Sequence, residues 1–354
     1  MKRILAISLV CLLTLTLLVG CGTGGGNNST ETSGSEQTWE LNLGCIANNP
    51  TTSTGYNSIG KAILEFTELA DEYTEGKVKI TPHWSSVLGN NVQLYEQIMM
   101  GELDFHIGQP MSSADKRFAA WNVPFVFESL EEVKIGFNSE TGVLFKLTSN
   151  WMEENGVKLL AVNTSVFRGV ISQDPVYVPA DMKKMKIRTY EDSLVNKFWG
   201  EIGTASIIAG SEIYSALQTK TVDAMEFHAT GTMSFKLYEV AKYFTDLNWQ
   251  WTNGATLTLP IELWESFPEE VQKALQRAAD EMVERQYSYE IADQEQVFAD
   301  LEEEGMTIIK PTDEQRQEWI ELSRGMDDWF KDYVGSEAYD EYMAAVAENK
   351  AAMK

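Results

Sequence analysis

The sequence predicts a two-lobed α/β protein with a long C-terminal helix crossing between the lobes. Three observations carry that expectation. Residues 39–107 run strand, helix, strand, helix, strand, which favours a covered, largely parallel sheet over a sandwich. The same pattern begins again after a composition break at 163–165. From Pro268 to Glu304 there is then no internal proline or glycine, and Gly305 closes the run.

The elements follow in order. Trp39, Leu41, Leu43 and Cys45 alternate with Glu40, Asn42 and Gly44, as in a strand with one buried face. Ile59, Ala62, Ile63, Phe66, Leu69, Ala70 and Tyr73 form a helical stripe ended by Gly76. Val78 and Ile80 open a second strand. A helix carrying Leu94, Ile98 and Met99 follows Gly89-Asn90-Asn91, and Gly101 stops it before the strand Leu103–Ile107. Val157–Val162 is a buried strand candidate, and Val166, Val170 and Ile171 mark an extended element around Phe167-Arg168-Gly169. Lys184–Arg188 alternates polar and apolar residues, helices are expected over 191–200 and 211–217, and Val222–Phe227 reads as a further short strand. In the last third, Val271, Leu275, Ala278, Ala279 and Met282 recur at helical spacing behind Pro268, either in one helix of unusual length or in two with a break near 287–293. Residues 313–334 and 337–350 add more helix. The expected division is a first lobe of 39–165 plus about 255–292 and a second lobe of 166–254 plus about 293–354.

The N-terminus reads as an address. Lys2 and Arg3 precede the apolar run Ile4–Val19, whose sixteen residues would span about 24 Å as a helix, short of the roughly 30 Å hydrocarbon layer. Leu18-Val19-Gly20-Cys21 matches a lipobox, so residues 1–20 are expected to be a lipoprotein signal peptide and Cys21 the lipidated first residue of the mature chain. The Gly-, Asn-, Ser- and Thr-rich stretch 21–38 cannot bury enough apolar surface to offset its ordering, and is expected to be a flexible linker. Cys45 is then the one cysteine left in the folded body, which leaves no internal disulfide.

Fifty-three acidic residues against 28 basic ones give 354 residues a formal charge of -25, which becomes -27 once Lys2 and Arg3 leave with the signal. Such a field opposes nucleic acid and charge-driven attachment to anionic lipid, while leaving room for a locally positive pocket. A lipid tether is therefore what would hold the protein at a membrane. Enzyme motifs are missing: the sequence has no Gly-rich phosphate loop, His-Glu-x-x-His, Cys-x-x-Cys pair or nucleophile elbow. Three histidines, His83, His106 and His228, do not suggest a histidine-rich metal site, and no cofactor or metal is expected.

Arg168 and Arg188 stand out, each at a strand edge in an acidic chain. A guanidinium can hold a carboxylate through two charge-assisted hydrogen bonds, and a cleft that excludes water strengthens the contact. The alternative for either is a structural Asp or Glu partner.

Taken together, Val178-Pro179-Ala180-Asp181-Met182-Lys183-Lys184-Met185-Lys186-Ile187-Arg188-Thr189-Tyr190, Gly203-Thr204, Ser211–Thr219 and Val222-Asp223-Ala224-Met225-Glu226 resemble the solute-binding proteins of TRAP transporters, the DctP family. Leu88-Gly89, Glu96–Asp104 and Trp264–Ala274 extend the resemblance over about residues 40–335. It implies a periplasmic-binding-protein-like fold, two lobes joined by crossing strands that close over a small organic acid and deliver it to TRAP permease membrane subunits. The family's carboxylate-clamping arginine maps onto Arg188 and its upstream cleft arginine onto Arg168. The protein would then stand in the periplasm or on the outer face of the cytoplasmic membrane, held by its lipid.

Phe227, His228 and Trp251 are further candidate ligand contacts near strand ends or the hinge, and Gln109 is a candidate from the opposing lobe. His228 has the alternative of a neutral interface residue, and Gln109 that of a loop cap. For Trp199 and Trp249 packing is expected. Lys220 and Ala224 replace glycines usual in the family, and Gly210 stands where its sialic-acid binders carry an aromatic, which argues against that ligand. Two arginines suit a dicarboxylate; one clamp with aromatic walls suits a sugar acid or aromatic acid, and a monocarboxylate with hydroxyl or ring substituents is favoured. A sensor's binding subunit and an exported hydrolase are the other function classes.

Overall fold

A computed structural model describes residues 37–53, 55–251 and 255–353; the expected signal peptide, Cys21 and nearly all of the linker lie outside these residues. The described residues cluster as one unit containing two sheets.

The first sheet has the order β2 (Val78–His83), β1 (Trp39–Cys45), β3 (Phe105–Gly108), β10 (Thr256–Pro260), β4 (Val157–Val162). The second runs β11 (Thr307–Ile309), β9 (Tyr243–Trp251), β5 (Phe167–Ser172), β8 (Ala224–Phe227), β6 (Lys186–Thr189), β7 (Thr204–Ile207). The largely parallel sheets expected are in fact mixed. β2, β1 and β3 are parallel, as are β8, β6 and β7, but β10 is antiparallel to both β3 and β4, and β5 is antiparallel to both β8 and β9. The cause is topological. Chain leaving one sheet in β4 enters the other in β5, and β9 leads back into β10, so two crossing strands run in opposite directions side by side. Asn163 N donates to Ala255 O at 3.0 Å between them.

Helices cover both sheets: α1 (Ser58–Tyr73), α2 (Asn91–Met100), α3 (Leu130–Gly136), α4 (Val143–Glu153), α5 (Ser193–Ile202), α6 (Ile213–Gln218), α7 (Ala229–Ser234), α8 (Ile261–Ser266), α9 (Glu269–Glu303), α10 (Asp313–Arg324), α11 (Asp327–Val334) and α12 (Ser336–Ala352). Local chemistry sets their ends. Asn90 caps α2 by accepting from Gln93 N, Asn90 N donates in turn to Gln93 Oε1, and Gly101 closes the helix at φ 71°.

The run behind Pro268 forms one unbroken helix of 35 residues, about 52 Å at the usual rise. Its first half, through Val271, Leu275, Ala278, Ala279 and Met282, packs in the core of the first sheet with α1; Val297 and Leu301 pack in the core of the second with Phe244 and Met306. Between them the buried face is polar, at Gln286 and Glu290. The long helix is thus the third connection between the lobes.

The expected assignment of 293–354 to the second lobe needs an amendment. Trp319 of α10 packs against Trp199 of the second lobe, but α11 and α12 lie on α3, α4 and the 3-10 turn Lys116–Asn122, all within the span expected for the first lobe. Acid-rich composition gave no sign of that partner; Phe330, Tyr339, Tyr342 and Val346 supply the apolar side of the contact.

Candidate functional site

Strand register brings distant residues to one end of the second sheet. Arg168 is opposite Gln250 and Phe167 opposite Trp251, while Gly169 is opposite Phe227 and Val170 opposite Glu226. On the other side of β8, Arg188 pairs with Met225. The start of β5 therefore meets the C-terminal ends of β6, β8 and β9, the position at which open α/β sheets hold ligands. The motif residues hold this register. Asp181 Oδ2 accepts from Tyr177 N and Val178 N at 2.8 and 3.0 Å, bending the chain on its way to β6, and Asp223 Oδ2 accepts from Lys186 N at 2.9 Å, tying the turn before β8 to the start of β6. Lys220 adopts a left-handed backbone, a conformation that favours glycine, at φ 55°. Ala224 sits in ordinary strand, so glycine is not needed there.

At the centre is an acid that the sequence reading left among the motif letters. Glu226 is fully buried, and its Oε2 accepts a short hydrogen bond from Arg168 Nε. Arg168 Nη2 also donates to Glu226 O at 3.4 Å, and its guanidinium carbon lies 5.2 Å from the Tyr190 ring centre and 5.7 Å from that of Phe227. Arg168 is thus matched by a structural acid, the alternative weighed for it. Burial pushes the Glu226 carboxyl above its ordinary value, against the pull of Arg168 and Arg188. Burial works against the Arg168 cation as well, but Glu226 beside it holds the guanidinium firmly protonated.

Arg188 is differently placed. Its Nε donates to Ile208 O at 3.0 Å, and its Nη1 stands 4.0 Å from Glu226 Oε1, beyond hydrogen-bond reach. No hydrogen bond engages Nη1 or Nη2 among the described residues, although the side chain is only 6% exposed. Desolvation and the neighbouring Arg168 lower its pKa, with Glu226 opposing. Two cations and one anion leave the cluster with a net charge of about one positive; both Nη atoms of Arg188 are open among the described residues, and Arg168 keeps only Nη1 free of a hydrogen bond.

The other candidates divide. Phe227 is half-buried, its ring centre 4.6 Å from the stacked His228 ring and 5.9 Å from Phe235. His228 caps α7: Nδ1 accepts from Gly231 N at 2.9 Å, so Nε2 carries the hydrogen, and burial followed by the Arg168 charge lowers the ring's pKa to about 3. His228 is neutral there. Gly231 makes room for both rings, since a Cβ on it would lie 2.5 Å from an atom of each. Trp251 reaches the right strand end but is 2% exposed in an aromatic cluster with Trp121, Phe127 and Phe137, which in this conformation gives it the packing role. Trp199 and Trp249 are buried in edge-to-face contact, as expected. Gln109 follows β3 on the first sheet; Asn91 holds its backbone from both sides, donating to its O at 3.0 Å and accepting from its N at 3.2 Å. No hydrogen bond joins it to either arginine among the described residues, and its side-chain amide has no partner there.

Tyr190, Gln250, Asn122 and Asp192 were not singled out in the sequence. Gln250 Nε2 donates to Asn122 Oδ1 at 2.6 Å and Asn122 Nδ2 to Asp192 Oδ2 at 2.8 Å, a largely buried chain that starts opposite Arg168. The one available signal was Glu226 itself, an acid inside the strand Ala224-Met225-Glu226-Phe227, where burial requires a cation. Among the described residues no cluster of His, Cys, Asp and Glu suits a metal ion, and no helix is long and apolar enough to cross a membrane.

Two lobes, three crossings and an arginine with open donors at the strand ends describe a protein that binds a small solute. The chain belongs to the DctP family, bacterial extracellular solute-binding protein family 7, whose profile matches residues 51–329. It is a TRAP-type solute-binding protein and not an enzyme. Over 296 residues it is 25% identical to the C4-dicarboxylate-binding periplasmic protein DctP of Rhodobacter capsulatus, covering 82% of this chain and 87% of that one. Identity is also 25% over 302 residues with the 2,3-diketo-L-gulonate-binding periplasmic protein YiaO of Escherichia coli, covering 83% and 85%. A TRAP periplasmic solute-binding protein from Ochrobactrum anthropi superposes with a TM-score of 0.80 at 23% identity, covering 89% of this chain and 97% of that one. Another from Chromohalobacter salexigens, with bound D-glucuronate, gives 0.77 at 22%, covering 87% and 99%.

Proposed function

We propose that this protein captures a small organic acid bearing one carboxylate, with hydroxyl or ring substituents, and presents it to TRAP permease membrane subunits. The open Nη1 and Nη2 of Arg188 carry the proposal. With Nε tied to Ile208 O, the guanidinium is held in place and its end-on fork is left to accept a carboxylate through two parallel bonds. Arg168 contributes little net charge because Glu226 is bound to it, so a second carboxylate finds no matching cation in the cluster. Among similar structures, the bound D-glucuronate and galactonate each carry one carboxylate and several hydroxyls, while the succinate bound by another carries two carboxylates, so the count rests on the arginines of this chain.

Phe227, with the Tyr190 ring beyond Arg168, supplies an apolar wall, His228 a neutral N–H, and Gln109 an amide from the opposite lobe. The signal peptide, the lipid on Cys21 and the linker to residue 38 complete the proposal, as a leash on the outer face of the membrane. Native mass spectrometry of gently purified protein identifies retained acid, and calorimetry with that acid gives its affinity. A retained neutral sugar, or a dicarboxylate bound more tightly than its monoamide, would overturn the charge argument.

A further inference from the structure

The polar stretch of the long helix lies where the lobes are joined. Glu290 is 3% exposed, between Met282 in one core and Val297 in the other. Ser58, the first residue of α1, donates to Glu290 Oε2, and Gln286 Nε2 donates to the same oxygen at 3.2 Å. Gln286 Oε1 accepts in turn from Thr164 Oγ1 at 2.9 Å, in the link from β4 to β5. Oε1 of Glu290 has no hydrogen bond among the described residues. Beside it is a pocket of about 140 Å³, open to solvent on one side and walled by Tyr56 of the first lobe, Ser165 of the crossing, His228 of the second lobe, and Glu290 and Asp293 of α9. Because its walls come from both lobes and two of the connections, a change in the angle between the lobes changes this space.

The charged groups around Glu290 are few. From α1 come Lys61 and Glu65, the latter engaged by Tyr289; α9 adds Asp293; Tyr56 is bonded to Asp300; the crossing contributes none; and His228 is the neutral titratable group of the second lobe. Burial pushes the Glu290 carboxyl up to about 7, with Ser58 pulling down, Asp293 pushing up and Lys61 pulling down.

We propose that Glu290 couples proton binding to lobe closure. The neutral side chain lets the junction of α1, the first crossing and the long helix shed its pocket water and close, whereas the carboxylate retains water in the adjoining pocket and favours the open arrangement. The pocket has room for several waters, and an ionised oxygen without a protein donor needs them.

Small-angle scattering on the full, ligand-free protein tests this without reference to any ligand. Between about pH 5.5 and 8.5 the radius of gyration should rise through one transition. Glu290→Gln, isosteric and uncharged, should stay at the compact value throughout. Two variants that keep the acid provide a control should that one misfold. Ser58→Ala removes a donor to the carboxylate and should move the midpoint to higher pH, and Asp293→Asn removes a repulsion and should move it lower. An unchanged radius in the parent, a transition that persists in Glu290→Gln, or midpoints unmoved in both other variants would each overturn the proposal.

Discussion

Replacing Glu226 with glutamine separates charge from shape at the centre of the site. The amide has the volume of the carboxylate, so no cavity is created, yet the fully buried position no longer carries the anion that Arg168 Nε and, at 4.0 Å, Arg188 Nη1 face. Two guanidiniums are then left without their counter-charge. Breaking a buried pair by removing one partner costs ~3–5 kcal/mol, a large part of a typical stability of ~5–15 kcal/mol. Arg168→Met is expected to cost a similar amount, because it strands the acid. The double variant Arg168→Met/Glu226→Gln removes both charges and should recover most of the loss, giving a strongly non-additive cycle. Urea unfolding followed by tryptophan fluorescence, with circular dichroism to confirm a single transition, measures all three. If Glu226→Gln costs less than ~1 kcal/mol and the double variant is the sum of the singles, the pair is not the buried charge balance described here.

Arg188→Lys keeps the charge but loses the planar donor pair, and is expected to weaken carboxylate binding about tenfold or more in calorimetry while the fold, by circular dichroism, is retained. Glu290 gives stability a pH dependence: its folded pKa of about 7 stands above the ordinary 4.5, so the folded state holds a proton that the unfolded state has lost. Stability should therefore fall as pH rises from 4.5 to 7, by at most ~3 kcal/mol, and Glu290→Gln should flatten that part of a melting-temperature profile. Gly231→Ala places a methyl group against the Phe227 and His228 rings and should lower ligand affinity with little change in overall secondary structure, read by calorimetry and circular dichroism. In cells, Cys21→Ser should leave the membrane fraction with its soluble body still folded, as judged by fractionation and circular dichroism.

Much of this protein is set by its sequence alone. Period-two alternation in Trp39–Cys45, period-3.6 stripes in α1 and the start of α9, and the unbroken run after Pro268 each depend on neighbours within a few turns, so the elements were legible without partners. The strand that carries Arg188 was legible through its alternation, and the burial of Trp199 and Trp249 through their size. What the letters could not state is which charges meet. Arg168 and Glu226 are 58 residues apart and are brought together by the antiparallel pairing of β5 with β8; a chain with 53 acids offers many equally good partners on paper. The same holds for Trp251, turned into an aromatic cluster by residues 121–137, and for α12, whose seat on α3 and α4 no local pattern announces. Helical and strand periodicity is a short-range property of the backbone, whereas the pairing of buried charges is decided by strand register and sheet order, which exist only once the chain has folded.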